Sequence, residues 1–147
     1  MKAKMNVESI LPLKYLDDTK QDQDQDTVIL ASYPRSGNTL LRAYLEKIMG
    51  LMTGSDCDIT KKLNKELLTM GFNGEGIADR KAWIVKTHYP ERFGKSKFYS
   101  ERCILLVRSP FDCFVSLFNM VCTGSHNKSI AAEDFKTYSE LWSEFIE

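Results

Sequence analysis

The stretch Val28-Ile-Leu-Ala-Ser-Tyr-Pro-Arg35-Ser-Gly37-Asn-Thr-Leu-Leu-Arg42 predicts a strand, a short loop and a helix in immediate succession. Its apolar first part is typical of a parallel strand that is buried on both faces. Its polar centre opens directly into an amphipathic helix. The loop aims several backbone N–H groups, one cation and two hydroxyl groups at a single point above the helix N-terminus. Such a point attracts a phosphate or sulfate group.

The composition is that of one globular domain. The chain has 147 residues, of which 43% are hydrophobic and 27% are charged, so one modest core is expected. The formal net charge is zero, which argues against a nucleic-acid partner held by bulk charge. No apolar run has the length of a signal peptide or a membrane span. We therefore expect no membrane contact and a cytoplasmic location.

The four cysteines favour buried free thiols over a metal site. Cys103 lies in an apolar predicted strand, and Cys113 and Cys122 lie in an apolar predicted helix, where a reduced cysteine packs as a small hydrophobic residue. No Cys-x-x-Cys pair or Cys/His cluster has the spacing of a zinc site. No metal is therefore expected.

Alternating strand and helix patterns predict an α/β domain with a mostly parallel sheet. A polar Gln/Asp run predicts a flexible N-terminal arm over residues 1–26, and the α/β domain follows over residues 27–147. The predicted strands are Thr27–Ser32, Ala82–Lys86 and Arg102–Val107. The predicted helices are Thr39–Met49, Ile59–Met70, Pro110–Thr123 and an amphipathic segment after Ser129.

The chain ends inside its last predicted helix. This helix carries a stripe that no later segment covers, formed by Phe135, Tyr138, Leu141, Trp142 and Phe145. We therefore expect either a domain that is truncated at its C-terminus or a protein partner that covers the stripe.

Polar residues follow each predicted strand. The second strand ends at Lys86-Thr87-His88, and the third is followed by Arg108 at the start of a helix that carries Ser116. In open parallel sheets, ligands bind beyond the carboxyl ends of the strands, so we expect these residues to meet the loop after the first strand. Arg108 and Ser116 could close on one anion, because an arginine forms charge-assisted hydrogen bonds and a serine offers its hydroxyl.

These three segments together resemble the sulfotransferase family that uses 3′-phosphoadenosine 5′-phosphosulfate. The family's Tyr-Pro-Lys-Ser-Gly-Thr-Thr loop is matched by Tyr33-Pro-Arg-Ser-Gly-Asn-Thr39, and its Lys-Thr-His segment is matched by Lys86-Thr87-His88. Its Arg-x-Pro-x-Asp-x-x-x-Ser segment is matched by Arg108-Ser-Pro-Phe-Asp-Cys-Phe-Val-Ser116. The resemblance covers residues 27–124 and implies a P-loop-like, three-layer α/β fold and a sulfuryl-transfer reaction.

The resemblance also implies a role for each matched residue. Arg35 and Lys86 would supply positive charge to the transferring group, and His88 would be the general base for a hydroxyl or amine acceptor. The 5′-phosphosulfate would be held by Arg35, Ser36, Gly37, Asn38 and Thr39. The 3′-phosphate would be held by Arg108 and Ser116. Cationic side chains and helix dipoles carry the charge in such a scheme, so no metal is implied.

The chain departs from the family pattern at several positions. Arg35 stands where a lysine is usual, which keeps the charge and changes its geometry, and Asn38 replaces a threonine. Leu40 stands where many members place a tryptophan against adenine, and the family's C-terminal Arg-Lys-Gly segment does not occur.

Two other functions fit parts of the pattern. A P-loop kinase or NTPase requires a lysine after the glycine, and here Gly37 is followed by Asn38, which ranks this function below a sulfotransferase. A catalytically inactive sulfotransferase-like domain could serve as a binding or scaffold module that uses its aromatic helix. Two residues outside the matched roles, Arg42 and His126, are interpreted as ordinary surface groups.

Overall fold

A four-stranded parallel sheet organises the computed structural model, which describes residues 13–16, 27–89 and 96–146. The strands, in the spatial order β2-β3-β1-β4, are β1 (Val28–Ser32), β2 (Gly54–Ser55), β3 (Ile84–His88) and β4 (Arg102–Leu106). The helices are α1 (Asn38–Met49), α2 (Lys62–Thr69), α3 (Pro110–Thr123) and α4 (Ser139–Ile146), with a 3-10 helix at Ala132–Lys136. The predicted α/β class with a mostly parallel sheet is confirmed.

Local sequence signals predicted most element boundaries to within one or two residues of those in the structure. α3 begins and ends as predicted, because Pro110 opens its first turn and Gly124 ends it in the left-handed conformation, with its N–H bonded to the Met120 carbonyl. α2 begins later than predicted, at Lys62, since a turn precedes it in which the Asp58 carboxylate accepts the Thr60 N–H at 3.0 Å.

Three other differences concern the number and the extent of the elements. β2 has only two residues, too few for a strand pattern to reveal. β3 extends through His88, so the histidine belongs to the strand end and not to the loop after it. The predicted last helix is divided into the 3-10 helix and α4, and the Ser139 hydroxyl donates to the Lys136 carbonyl at the division.

Part of the predicted N-terminal arm is paired with the domain. The Lys14 N–H donates to the Gly50 carbonyl at 3.2 Å, and the Lys14 carbonyl accepts from the Met52 N–H at 2.9 Å. Apart from residues 13–16, the arm lies outside the described residues, and its flexibility stays a prediction.

The register of the sheet decides which loops meet. Ser32, the last residue of β1, pairs with His88 on β3 and with Leu106 on β4. Because the strands are parallel, the loop after β1, the end of β3 and the segment after β4 all lie at the same edge of the sheet. The three matched segments of the sequence therefore come together in space.

The interior contains a charged pair at Arg42, which is fully buried. Its guanidinium forms an ion pair with Glu75, donates through Nε to Thr53 Oγ1 at 2.8 Å, and lies 5.0 Å from the centre of the Phe72 ring. The interpretation of Arg42 as a surface charge was wrong. Its partner lies 33 residues away in a glycine-rich loop, so the periodicity of α1 alone gives no sign of the pair.

Only one cysteine of the apolar segments is fully buried. Cys113 is 1% exposed, whereas Cys122 is partly exposed and Cys103 is exposed. The prediction for Cys103 was wrong: β4 is the edge strand of the described sheet, and none of its residues is buried. An apolar strand sequence therefore does not guarantee burial on both faces.

The aromatic stripe of the C-terminal segment is partly covered within the chain. The Phe118 ring of α3 lies 4.9 Å from the Trp142 ring and 5.4 Å from the Phe145 ring, centre to centre and near edge-to-face. Phe135 and Leu141 remain exposed. No later segment was expected to cover the stripe, and it is an earlier element, α3, that packs against its aromatic centre.

We predict that Arg42→Met lowers the free energy of unfolding by about 3–5 kcal/mol, because it leaves the buried Glu75 carboxylate without its partner. Urea denaturation measures the change. Lys47→Met is the matched control, since Lys47 is an exposed cation of the same helix. Equal effects of the two substitutions would contradict a structural role for the buried pair.

Candidate functional site

A cavity of about 880 Å³ opens at the carboxyl edge of the sheet, between the loop after β1, α2, α3 and the loop after α3. Nearly all of the predicted site residues line it: Arg35, Gly37, Asn38, Thr39, Lys86, His88, Arg108 and Ser116. Ser36 does not. It is 7% exposed, and its Oγ lies 3.5 Å from the Cys113 sulfur, so its side chain serves packing between the loop and α3.

Among the described residues, the Arg35 side chain is hydrogen-bonded only to uncharged groups. Its Nε donates to Ser116 Oγ at 2.9 Å, and its two terminal nitrogens lie 3.2 Å from His126 Nδ1 and 3.3 Å from the His126 carbonyl oxygen. Burial, followed by the charge of Arg108, lowers the pKa of Arg35, but a guanidinium stays charged in proteins. A half-buried cation without a described carboxylate partner attracts an anion.

Arg108 connects the segment after β4 to the loop after β1. Its Nη1 donates to the Arg35 carbonyl oxygen at 3.0 Å. Its Nε lies 3.9 Å from the Asp112 carboxylate, and both side chains are exposed, so this ion pair is weak. Arg108 thus lies at the cavity beside Arg35, with capacity left for a further anion.

The geometry of His88 assigns its tautomer. Its Nδ1 lies 3.1 Å from the Ser32 carbonyl oxygen, which can only accept, so Nδ1 carries the proton and Nε2 has the lone pair. Burial, followed by the charge of Lys86, lowers the pKa of His88 to about 4. The imidazole is therefore neutral at neutral pH, and no described residue is hydrogen-bonded to Nε2.

Ser32 and Asn38 form a buried layer behind His88. The Asn38 amide donates to Ser32 Oγ at 2.9 Å and to the Leu30 carbonyl at 3.3 Å, and Ser32 Oγ lies 3.5 Å from His88 Nδ1. The side-chain amide nitrogen of Asn38 is therefore hydrogen-bonded to β1. Its Oδ1 has no hydrogen-bond partner among the described residues. Sequence reasoning did not assign a role to Ser32.

Lys86 lies in a buried charged cluster below the cavity. It is 7% exposed, and burial lowers its pKa while the carboxylate of Glu75 opposes this change. Burial also opposes ionisation of Glu75, but the charges of Arg42 and Lys86 outweigh it and lower the pKa of Glu75. The charge of Lys86 is therefore balanced in part within the protein.

Cys57 lies beside the same carboxylate. Its Sγ donates to Glu75 Oε2 at 2.8 Å, and burial, followed by the charge of Glu75, raises the pKa of Cys57 to about 11. The thiol is therefore protonated at neutral pH and is not an activated nucleophile.

His126 belongs to the site, and its interpretation as an ordinary surface residue was wrong. Its ring is half-buried between Arg35 and α2, where its Nε2 lies 3.2 Å from the Leu63 carbonyl oxygen. The sequence carries no signal for this contact, because Arg35 and His126 are 91 residues apart and His126 lies outside the three matched segments.

The residues that the structure describes hold neither a metal-binding cluster nor a membrane-spanning helix. In that part of the chain, no group of three or more His, Cys, Asp or Glu side chains is placed to hold a metal ion. None of the described helices combines the length and the apolar character needed to cross a membrane.

Comparisons with known proteins identify the family of the chain. The model of the sulfotransferase domain family matches residues 25–147. The chain belongs to the sulfotransferase family. No solved structure matches it.

Three similar curated proteins are WSCD family members from insects. The protein of Drosophila pseudoobscura pseudoobscura is 37% identical over 118 residues, and that of Drosophila melanogaster is 36% identical over 118 residues. Each match covers 80% of this chain and 35% of the relative. A protein of Aedes aegypti is 31% identical over 129 residues, which are 86% of this chain and 38% of the relative. The chain thus spans little more than a third of the length of these relatives.

The lowered pKa of His88 predicts that its protonation destabilises the fold. The unfolded chain protonates this side chain near 6.5, whereas the folded chain does so near 4. Between these values the unfolded state binds more protons, so the free energy of unfolding falls as the pH is lowered from 6.5 to 4, by about 3 kcal/mol at most for this residue.

Urea denaturation across this pH range measures the loss. His88→Asn is the comparison variant, because its amide can still donate to the Ser32 carbonyl but does not titrate. A loss of stability with the same slope in both proteins would contradict the assignment to His88.

Proposed function

We propose that this chain forms the nucleotide-binding part of an enzyme that transfers a sulfuryl group from 3′-phosphoadenosine 5′-phosphosulfate to a hydroxyl or amine acceptor. The observation that carries the proposal is the placement of Arg35, Arg108 and His88 around one cavity. Two cations there retain capacity for an anion, and the histidine presents an unprotonated nitrogen. Family membership supports the class of reaction.

The 5′-phosphosulfate fits the loop after β1. Gly37 precedes α1 with φ 99°, no side chain caps this helix end, and its first turn holds no acidic residue. The first N–H groups of α1 are therefore free to bind phosphate oxygens, with the Thr39 hydroxyl beside them. Arg35 supplies the positive charge at this point, and Arg108 is placed for the 3′-phosphate.

The transfer step assigns one role to each reacting group. The acceptor oxygen or nitrogen forms a bond to sulfur while the bond from sulfur to the bridging phosphate oxygen breaks. The acceptor proton moves to His88 Nε2, and Arg35 neutralises the negative charge that develops on the departing nucleotide. A histidine with a pKa of about 4 is a weak base, so it accepts the proton when bond formation to sulfur has already acidified the acceptor. The charge of the buried Lys86 adds a positive electrostatic potential at the transferring group.

A binding experiment tests the 3′-phosphate assignment. We predict that Arg108→Ala weakens binding of 3′-phosphoadenosine 5′-phosphate at least about tenfold, the effect of losing a hydrogen bond between charged groups. Binding of adenosine 5′-phosphate changes less, because it lacks the 3′-phosphate. Isothermal titration measures both dissociation constants.

Arg102→Ala is the matched control for this titration, since Arg102 is an exposed arginine at the opposite end of β4. Equal losses for the two nucleotides would exclude a dedicated 3′-phosphate contact. Preference of the wild-type chain for ATP with magnesium would favour the NTPase alternative.

A transfer experiment tests the base. We predict that His88→Ala lowers the rate of sulfuryl transfer by about 10²–10⁴-fold, because the proton acceptor is lost, while nucleotide affinity stays near the wild-type value. The measurement uses radiolabelled sulfate on the donor nucleotide and a panel of hydroxyl and amine acceptors. Unchanged transfer in the variant removes His88 from the mechanism. Nucleotide binding by the wild-type chain without transfer to any acceptor would favour a binding module.

A further inference from the structure

The imidazole of His126 bridges α2 and the guanidinium of Arg35. Its Nδ1 lies 3.2 Å from Arg35 Nη1, and its Nε2 lies 3.2 Å from the Leu63 carbonyl oxygen. A guanidinium nitrogen only donates hydrogen bonds and a carbonyl oxygen only accepts them. The two neighbours therefore require the same tautomer, in which Nε2 carries the proton and Nδ1 accepts from Arg35.

The segment that carries His126 is itself anchored to α2. The carboxylate of Glu66 accepts the His126 N–H at 3.0 Å and the Ser125 hydroxyl at 2.8 Å. Arg35 also donates to the His126 carbonyl oxygen at 3.3 Å. The guanidinium is thus held by a side-chain and a main-chain acceptor of one residue, and that residue is fixed to a helix.

Burial and the neighbouring cations favour the neutral form of this imidazole. Arg35 faces it from the loop after β1, Lys86 from β3 and Glu66 from α2. Burial, followed by the charge of Arg35, lowers the pKa of His126, while Glu66 acts in the opposite direction. A second ring proton would occupy Nδ1, remove the hydrogen bond from Arg35 and place two cations side by side.

We propose that His126 is a positioning residue that orients the Arg35 guanidinium through its neutral Nε2–H tautomer. The inference rests on the proposed function only in that Arg35 is the cation facing the phosphosulfate. An arginine side chain has large rotational freedom, and a side chain ordered before the ligand arrives loses less entropy on binding. The bridge also connects the anion-binding loop to α2, which lines the opposite wall of the cavity.

Two substitutions of His126, each of which keeps one of its two side-chain hydrogen bonds, separate the contact with Arg35 from the contact with Leu63. In His126→Asn, the side-chain oxygen replaces Nδ1 and still accepts from Arg35, while the bond to Leu63 is lost. In His126→Gln, the amide nitrogen replaces Nε2 and still donates to Leu63, while the acceptor for Arg35 is lost. Ser129→Ala is the control, because Ser129 is an exposed residue of the same loop.

The first readout is NMR of the ¹⁵N-labelled chain without any nucleotide, so it is independent of the proposed function. The chain has only two histidines, so the spectrum of His126→Asn contains His88 alone and assigns both rings. We expect a neutral, Nε2-protonated His126 at neutral pH. We expect slowly exchanging Arg35 guanidinium protons in the wild type and in His126→Asn, but not in His126→Gln.

The second readout is the affinity for 3′-phosphoadenosine 5′-phosphate. We expect a loss of about tenfold in His126→Gln, the size of one charge-assisted hydrogen bond, and affinities near the wild-type value in His126→Asn and Ser129→Ala. Equal losses in the Asn and Gln variants would overturn the proposal, because a merely structural histidine is impaired by both.

The two proposals can fail separately. If the wild type shows the expected tautomer and Arg35 ordering but binds no nucleotide, the proposed function fails and the positioning role stands. If the wild-type His126 is cationic or protonated on Nδ1 at neutral pH, the positioning role is wrong, whatever the nucleotide affinity. If both substitutions of His126 prevent folding, the spectrum of His88→Asn, which contains His126 alone, assigns the rings, so the NMR measurement still decides the question.

Discussion

The parallel pairing of β1 with β3 and β4 brings the three matched segments together at the cavity. Ser32 lies opposite His88 and Leu106. The loop after β1, the side chain of His88 and the segment after β4 therefore lie at one edge of the sheet. A slip of β3 by one residue would turn His88 to the other face, because side chains alternate along a strand. The site therefore depends on backbone hydrogen bonds that involve none of its functional side chains.

The cations of the cavity differ in how their charge is balanced. Lys86 belongs to a buried cluster with Glu75 and Arg42, in which opposite charges already compensate one another. Arg35 is held by a serine, a sulfur atom and a neutral histidine, none of which offsets its charge. An incoming anion consequently gains most near Arg35, and Lys86 acts as a fixed background field. The difference arises from the neighbours that each residue meets in space and not from the residue type.

The sequence predicted the elements whose signals are local. The apolar run of β1, the glycines after α1 and α3, and Pro110 act through their own backbone. The three matched segments contain the predicted site residues that line the cavity. Arg42 and His126 were misassigned because their partners are 33 and 91 residues away, a distance that no periodic pattern spans. Cys103 was misassigned because the sequence pattern of an apolar strand does not distinguish the centre of a sheet from its edge.

Arg35 adopts φ 68°, the left-handed region that glycine and asparagine enter more readily than arginine. This backbone geometry turns the side chain towards α3 and the loop after it, at a strain of about 1–2 kcal/mol. Glycine at this position would relieve the strain, whereas it would lose the hydrogen bonds that Arg35 donates to Ser116 and to the His126 carbonyl. A glycine variant would also lack the cation that we propose faces the phosphosulfate, so a stability screen at this position must measure nucleotide binding as well as folding.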